Sequence, residues 1–226
     1  MKTTKLLITL FFFYVTLSAQ AATPGSCEHI KKITKPGDIL FISLPGHLFY
    51  EQVEKAMNHW ASHVGFVLEE NGELIVTEST YPFSKDTKFC DFVDRAKGKI
   101  AVSRLKNRKL NDRDLEELRY SSKERLGVYY HLGFKLRSSK QFCSKFVWEV
   151  FQEALGVEIG KVETFQELLD SHPDQASRDQ AVQFFNVWFF RWAIPFVSNI
   201  PWDRETVTPK SQYEDRDLKT VWTWEK

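Results

Sequence analysis

An α+β fold, with an antiparallel sheet packed against a buried helix, is predicted by three features of the sequence. Two apolar runs, Val64 to Leu68 and Leu74 to Thr80, flank Glu70-Asn71-Gly72-Glu73, and Asn-Gly between such runs is the strongest short-range hairpin signal. Asp38 to Ser43 and Ile100 to Leu105 read as further short strands. From Cys143 onward, apolar residues recur at four-residue spacing in two adjacent rows. Phe142, Phe146, Val150 and Ala154 form one row, and Cys143, Val147, Phe151 and Leu155 form the other, the pattern of a helix with one buried face. The chain has 226 residues, of which 42% are hydrophobic and 15% aromatic, enough to bury a substantial core in one domain.

The chain opens with Lys2 and Lys5, an apolar stretch from Leu6 to Leu17, and the small-residue site Ala19-Gln20-Ala21. These are the three parts of a secretory signal peptide. Residues 1–21 are therefore expected to be a leader, and residues 22–226 a single mature domain secreted across the inner membrane to the periplasm. The apolar stretch is shorter than the roughly 20 residues that cross a bilayer, so no integral membrane span is expected in the mature chain. Without Lys2 and Lys5 the 31 basic residues become 29, against 30 acidic ones. A near-neutral chain of this kind implies no nucleic-acid partner.

Pro36-Gly37 leads into the first strand and Pro45-Gly46 ends it. A helix is expected from about Leu48 to Trp60. Asn111 can cap a charged helix from about Asp112 to Leu126, since its side chain can satisfy a free backbone N–H. Gly156 should close the helix that starts at Cys143, and another helix is expected around Thr164 to Leu169. The section from about residue 176 to 226 is rich in aromatics. Val182 to Val197 reads as a core-packing helix and cover, broken by Arg191 and Pro195, and the tail from Pro201 is expected to wrap the domain irregularly.

Three cysteines, Cys27, Cys90 and Cys143, remain after the leader. In an oxidising compartment the economical arrangement is a Cys27–Cys90 disulfide with Cys143 free; the other reading is three isolated buried thiols. Cys143 heads a helix, a position that favours the thiolate, although a packed core cysteine would give the same local pattern.

The hairpin register adds a partner. With Asn71 and Gly72 as the turn, Gly65 falls opposite Glu78 and His63 opposite Thr80, and His63, Gly65, Val67, Val76, Glu78 and Thr80 share one face. Glu78 is then the diagonal neighbour of His63, within reach of a long side chain, and Gly65 leaves room for it. One imidazole nitrogen facing a thiol and the other held by an acceptor is the arrangement of a general base. Thr80 is the alternative orienter. Cys143, His63 and Glu78 are thus the candidate catalytic residues. Gln141, Tyr130 and Tyr129 are candidate oxyanion donors, and His131 a candidate substrate contact. No Cys-x-x-Cys or His-x-x-x-His pair and no glycine-rich phosphate loop occurs, so no metal and no cofactor is expected.

In order along the chain, Pro36-Gly37-Asp38-Ile39-Leu40-Phe41, Ser62-His63-Val64-Gly65-Phe66, Thr77-Glu78-Ser79 and Phe142-Cys143-Ser144-Lys145-Phe146 resemble the motifs of the YiiX/YebB-type hydrolases, relatives of the NlpC/P60 amidases. The resemblance continues through Tyr130-His131, Glu163-Thr164-Phe165, Ile200-Pro201-Trp202 and Thr206-Val207-Thr208-Pro209. It implies a circularly permuted papain-like fold in which the histidine strand precedes the cysteine helix. It also implies Cys143 as nucleophile, His63 as base and Glu78 as third polar residue. The function expected is an exported cysteine amidase or peptidase acting on a peptide-like bond, with cell-wall peptides as the substrate class by analogy. A lipid acyl hydrolase or acyltransferase using the same site, and a papain-like shell that only binds ligands, are the competing readings.

Overall fold

In a computed structural model, which describes residues 25–186 and 200–225, the Asn71-Gly72 turn takes the backbone that its residues favour. Both have positive φ, 52° and 80°, as a two-residue hairpin turn requires. The turn joins β2 (His63–Glu70) to β3 (Glu73–Ser79), and the ladder runs from Glu70 opposite Glu73 through Val67 opposite Val76 to Phe66 opposite Thr77. On one side β1 (Ile39–Ile42) pairs with β2, and on the other side of β1 lies β5 (Lys99–Leu105). Two strands that the sequence reading did not anticipate complete the sheet: β4 (Ser84–Lys88) beside β3, and β8 (Leu218–Glu225) beside β5. The order is β4-β3-β2-β1-β5-β8, antiparallel throughout.

The tail is therefore not irregular. Trp222 and Trp224 alternate with Val221, Thr223 and Glu225, a period of two that lets both indoles pack on the sheet. Before β8 the chain forms β7 (Glu205–Val207), paired with β6 (Val162–Thr164), and the short helix α8 (Pro209–Tyr213).

Helices cover both faces. On one face lie α1 (Cys27–Ile33) and α3 (Phe89–Arg95), packed on Leu40, Ile42, Val67 and Val102. The Cys27–Cys90 disulfide joins these two helices, and Cys143 is a free, buried thiol. Against the other face, on Ile39, Phe41, Phe66 and Leu68, lies α5 (Cys143–Leu155), with α4 (Asp112–Lys123) beside it. Asn111 caps α4 in a reciprocal box with Asp114. Gly156, with φ 67°, ends α5 as expected.

At the end of the sheet near the start of β2 stands α2 (Leu48–Met57), with α6 (Phe165–Asp170) and α7 (Gln175–Asn186) packed on it. Phe184 is buried there with Val53, Met57 and Phe165. The expected leader and residues 187–199, which hold most of the aromatic run, lie outside the described residues. No helix among the described residues is long and apolar enough to cross a membrane.

Candidate active site

His63 is the first residue of β2 and Cys143 the first residue of α5. Val67 and Val76, which share the face of His63, pack towards α3, whereas α5 packs on Phe66 and Leu68 from the opposite side. The two residues meet where these layers end. His63 is fully buried. Its Nε2 lies 2.5 Å from Glu78 Oε2, so Nδ1 is the nitrogen left for the thiol. Nδ1 is buried and holds no conventional hydrogen bond, while Cys143 is close enough to act on the ring's ionisation.

The space for the His63–Glu78 contact comes from Gly65, as the register implied. A Cβ on Gly65 would stand 2.7 Å from Val76 Cγ1 and 3.2 Å from Glu78 Cβ, so the close approach of β2 and β3 here requires glycine. Rings complete the seat of the imidazole. Tyr50 of α2 packs edge-on at 5.5 Å and Phe92 of α3 at 5.8 Å, centroid to centroid.

Electrostatically the site is a chain of opposed charges. Burial alone would keep Cys143 neutral, but the adjacent His63, followed by the Tyr130 hydroxyl and the Ser144 backbone N–H, lowers its pKa below the ordinary thiol value. For His63 burial disfavours the imidazolium, and Cys143 and Glu78 outweigh it and raise the pKa. Glu78, though buried, is brought down to about 2 by His63 and Arg95. Arg95 of α3 reaches both Glu78 oxygens at 2.7 Å, and Thr87 of β4 donates to Oε1 at 2.6 Å.

The head of α5 has no side-chain cap, so its first-turn N–H groups are free of the usual competitor. Several contacts fix its position. Ser144 Oγ donates to the Val207 carbonyl at 2.7 Å, and Gln212 of α8 donates to the Ser144 carbonyl at 2.9 Å. Lys145, 1% exposed, donates to the carbonyls of Ser138 and Lys140 and so anchors the segment that enters the helix. The C-terminal ribbon thus sets the place of the thiol.

Among the candidate oxyanion and substrate residues the structure discriminates. Tyr130 is buried and its hydroxyl lies 3.8 Å from Cys143 Sγ. Burial and the neighbouring thiol hold its pKa well above the ordinary value, so it remains an O–H donor. Gln141 turns away, its Nε2 donating to Glu149 at 2.6 Å. Tyr129 is 67% exposed. Thr80 faces Tyr50, 3.5 Å between hydroxyls, so Glu78 and not Thr80 holds the imidazole. His131 accepts from the Gly133 N–H, and burial and Arg204 lower its pKa to about 4.

Sequence reasoning missed Tyr50, Arg95, Thr87 and Lys145. Thr87 and Arg95 follow the expected hairpin on a strand and a helix that carried no clear periodicity. Beside the site opens a groove of about 1100 Å³. Leu44, Leu48, Phe49 and Leu132 give it an apolar lining, and Asp94 and Arg95 also line it.

A thiol at a helix head, faced by an imidazole from a preceding antiparallel strand, defines a papain-like protein whose chain order is permuted. The chain belongs to the permuted papain-like amidase enzyme family (YaeF/YiiX, C92), whose profile matches residues 33–222. It is 26% identical over 209 residues to YiiX of Escherichia coli (strain K12), covering 92% of this chain and 90% of that one. The crystal structure of YiiX from Escherichia coli O157:H7, described as a metalloprotein, superposes with a TM-score of 0.70 at 26% identity. That match covers 84% of this chain and 97% of the other.

Proposed function

We propose that the protein is an exported cysteine amidase that cleaves a peptide-like bond through Cys143, His63 and Glu78. The observation that carries this reading is the two-sided hold on His63, with Nε2 on a charged Glu78 and Nδ1 left for a thiol of lowered pKa. The Cys143 thiolate adds to the scissile carbonyl carbon. The oxyanion accepts from the Cys143 backbone N–H and the Tyr130 O–H, donors placed where negative charge develops. The imidazolium of His63 gives its proton to the leaving nitrogen and the amine departs. Water then attacks the thioester, His63 taking its proton, and the acid is released with the thiol restored.

Export rests on the leader pattern, and the Cys27–Cys90 disulfide supports an oxidising compartment. Cell-wall peptides are the proposed substrate class. The apolar lining of the groove favours a second reading, in which the same thiolate deacylates a lipid.

The metal of the relative described as a metalloprotein finds no fitting donor set among the described residues. Among the described residues the one grouping of three such ligand atoms is Cys27, Glu28 and Cys90. Its two sulfurs are bonded to each other and are not the thiolates that a metal takes, so no step is routed through a metal.

Incubation with muropeptides and, separately, with phospholipids, followed by intact-mass analysis, tests the reading. An acyl adduct on Cys143 from the muropeptides, absent in His63→Ala, is expected. An adduct from lipid alone replaces the amidase reading with the lipid one. A Cys143 that iodoacetamide alkylates no faster near neutral pH than an ordinary thiol removes both and leaves a binding module.

A further inference from the structure

Glu78 is a carboxylate with no solvent exposure, and a buried charge persists only where it is paired and hydrogen-bonded. His63 cannot be that permanent partner, because its charge is present in only part of a catalytic cycle. Whenever the imidazole is neutral, Glu78 needs another cation. Arg95 Nη2 bonds both carboxylate oxygens at 2.7 Å, and its guanidinium carbon stands 4.9 Å from the centre of the Phe92 ring. The same ring packs against His63. Arg95 therefore touches both supports of the imidazole, the carboxylate and the aromatic face, without touching the thiol. Its helix is stapled to α1 through Cys90, so its place does not depend on one contact alone.

We infer that Arg95 is a positioning residue for the Cys143–His63 pair, a fixed cation that keeps Glu78 ionised and seated on Nε2 while His63 gains and loses its proton. This rests on the amidase reading of the site. It adds a fourth member, from a helix outside the expected hairpin, to the three residues of that reading.

The charged and titratable groups around Glu78 are few. His63 approaches from β2, Arg95 from α3, Tyr50 from α2 and Cys143 from α5. On β4, Thr87 donates to Glu78, while Lys85, its register partner, is exposed to water. Asp91 and Asp94 flank Arg95 on its own helix. Of these only Arg95 holds a permanent positive charge in contact with the buried carboxylate. Removing it takes one positive charge from the cluster and raises every pKa in it. An opposite charge at this range is worth about 1 to 3 pH units, and part of that passes to the pair.

The test is the rate of Cys143 alkylation by iodoacetamide between pH 3 and 9, followed by mass, in the full protein and in Arg95→Gln and Arg95→Lys. For the unsubstituted protein the profile has an acid limb below that of a free thiol. In Arg95→Gln both limbs move up by about one pH unit or more. In Arg95→Lys, which keeps the charge but not the guanidinium over the Phe92 ring, the limbs return most of the way while the maximal rate stays reduced. A role confined to stapling α3 scales the rate equally at every pH, and limbs that do not move in Arg95→Gln overturn the inference while leaving the amidase reading intact. If Arg95→Gln does not fold, Arg95→Lys decides alone, because limbs displaced despite the retained charge also overturn it. An unsubstituted protein without an acid limb below that of a free thiol removes this inference and the amidase reading together.

Discussion

Glu78 should make the protein acid-sensitive in a window that can be calculated. Its ordinary pKa of 4.5 falls to about 2 in the fold. A carboxylate whose folded pKa is depressed contributes stability that is fully present above the unfolded value and is lost as pH falls through the folded one. At about 1.4 kcal/mol per unit, the shift corresponds to about 3 kcal/mol near neutral pH. About 2 kcal/mol of this disappears between pH 6 and pH 3, the remainder below it. Glu78→Gln keeps the shape but cannot ionise, so it isolates the contribution. Urea unfolding of both proteins at several pH values gives the difference in free energy. The difference should be largest at pH 6 and shrink by about 2 kcal/mol by pH 3. His63, whose folded pKa is raised, acts in the other direction and above this window, its stabilisation being lost as pH rises. Two curves that remain parallel within about 0.5 kcal/mol from pH 6 to 3, a spread typical of a substitution without a special role, would refute the reasoning that Glu78 is a charged, paired group.

Gly65→Ala places a methyl 2.7 Å from Val76 Cγ1. It should destabilise the protein by about 1–3 kcal/mol, as overpacking does, and slow Cys143 alkylation by moving Glu78; an unchanged melting profile would show that β2 and β3 have slack here. Tyr130→Phe removes one proposed oxyanion donor and should lower kcat about 100-fold with little change in KM, whereas Gln141→Ala, its amide bound to Glu149, should stay within a few-fold in steady-state assays. Reducing the Cys27–Cys90 disulfide, which spans 63 positions, should lower stability by about 4 kcal/mol on the chain-entropy account. Because α3 carries Phe92 and Arg95, reduction should also depress thiol reactivity, both readable by unfolding and alkylation with and without a reductant that is removed before assay.

What could be read from the sequence was what depends on short-range regularity. The Asn71-Gly72 turn fixes a register, and the register alone put Gly65, Glu78 and His63 together, because side chains alternate strictly along a strand. The helix from Cys143 to Gly156 was legible from its apolar rows and its terminating glycine. The tail, expected to wrap irregularly, escaped because Trp222 and Trp224 stand among many charges, and the partner that makes them one face of a strand, β5, is more than a hundred residues away.

The site was less legible than the hairpin, for a geometric reason. The shared face of His63 and Glu78 turns towards α3, not towards the helix that carries the thiol. The register therefore identified the imidazole and its orienter, but it could not say how Cys143 reaches them. That contact forms because both residues begin their elements, at the one place where the opposed layers run out. The same geometry explains the residues that were missed. Glu78 is buried in the layer beyond the sheet, so the cation that balances it has to come from that layer, on α3. No periodicity within β2, β3 or α5 could have named Arg95. The requirement for it could have been foreseen, since a carboxylate predicted on a buried face implies a second cation besides a histidine that must change its charge.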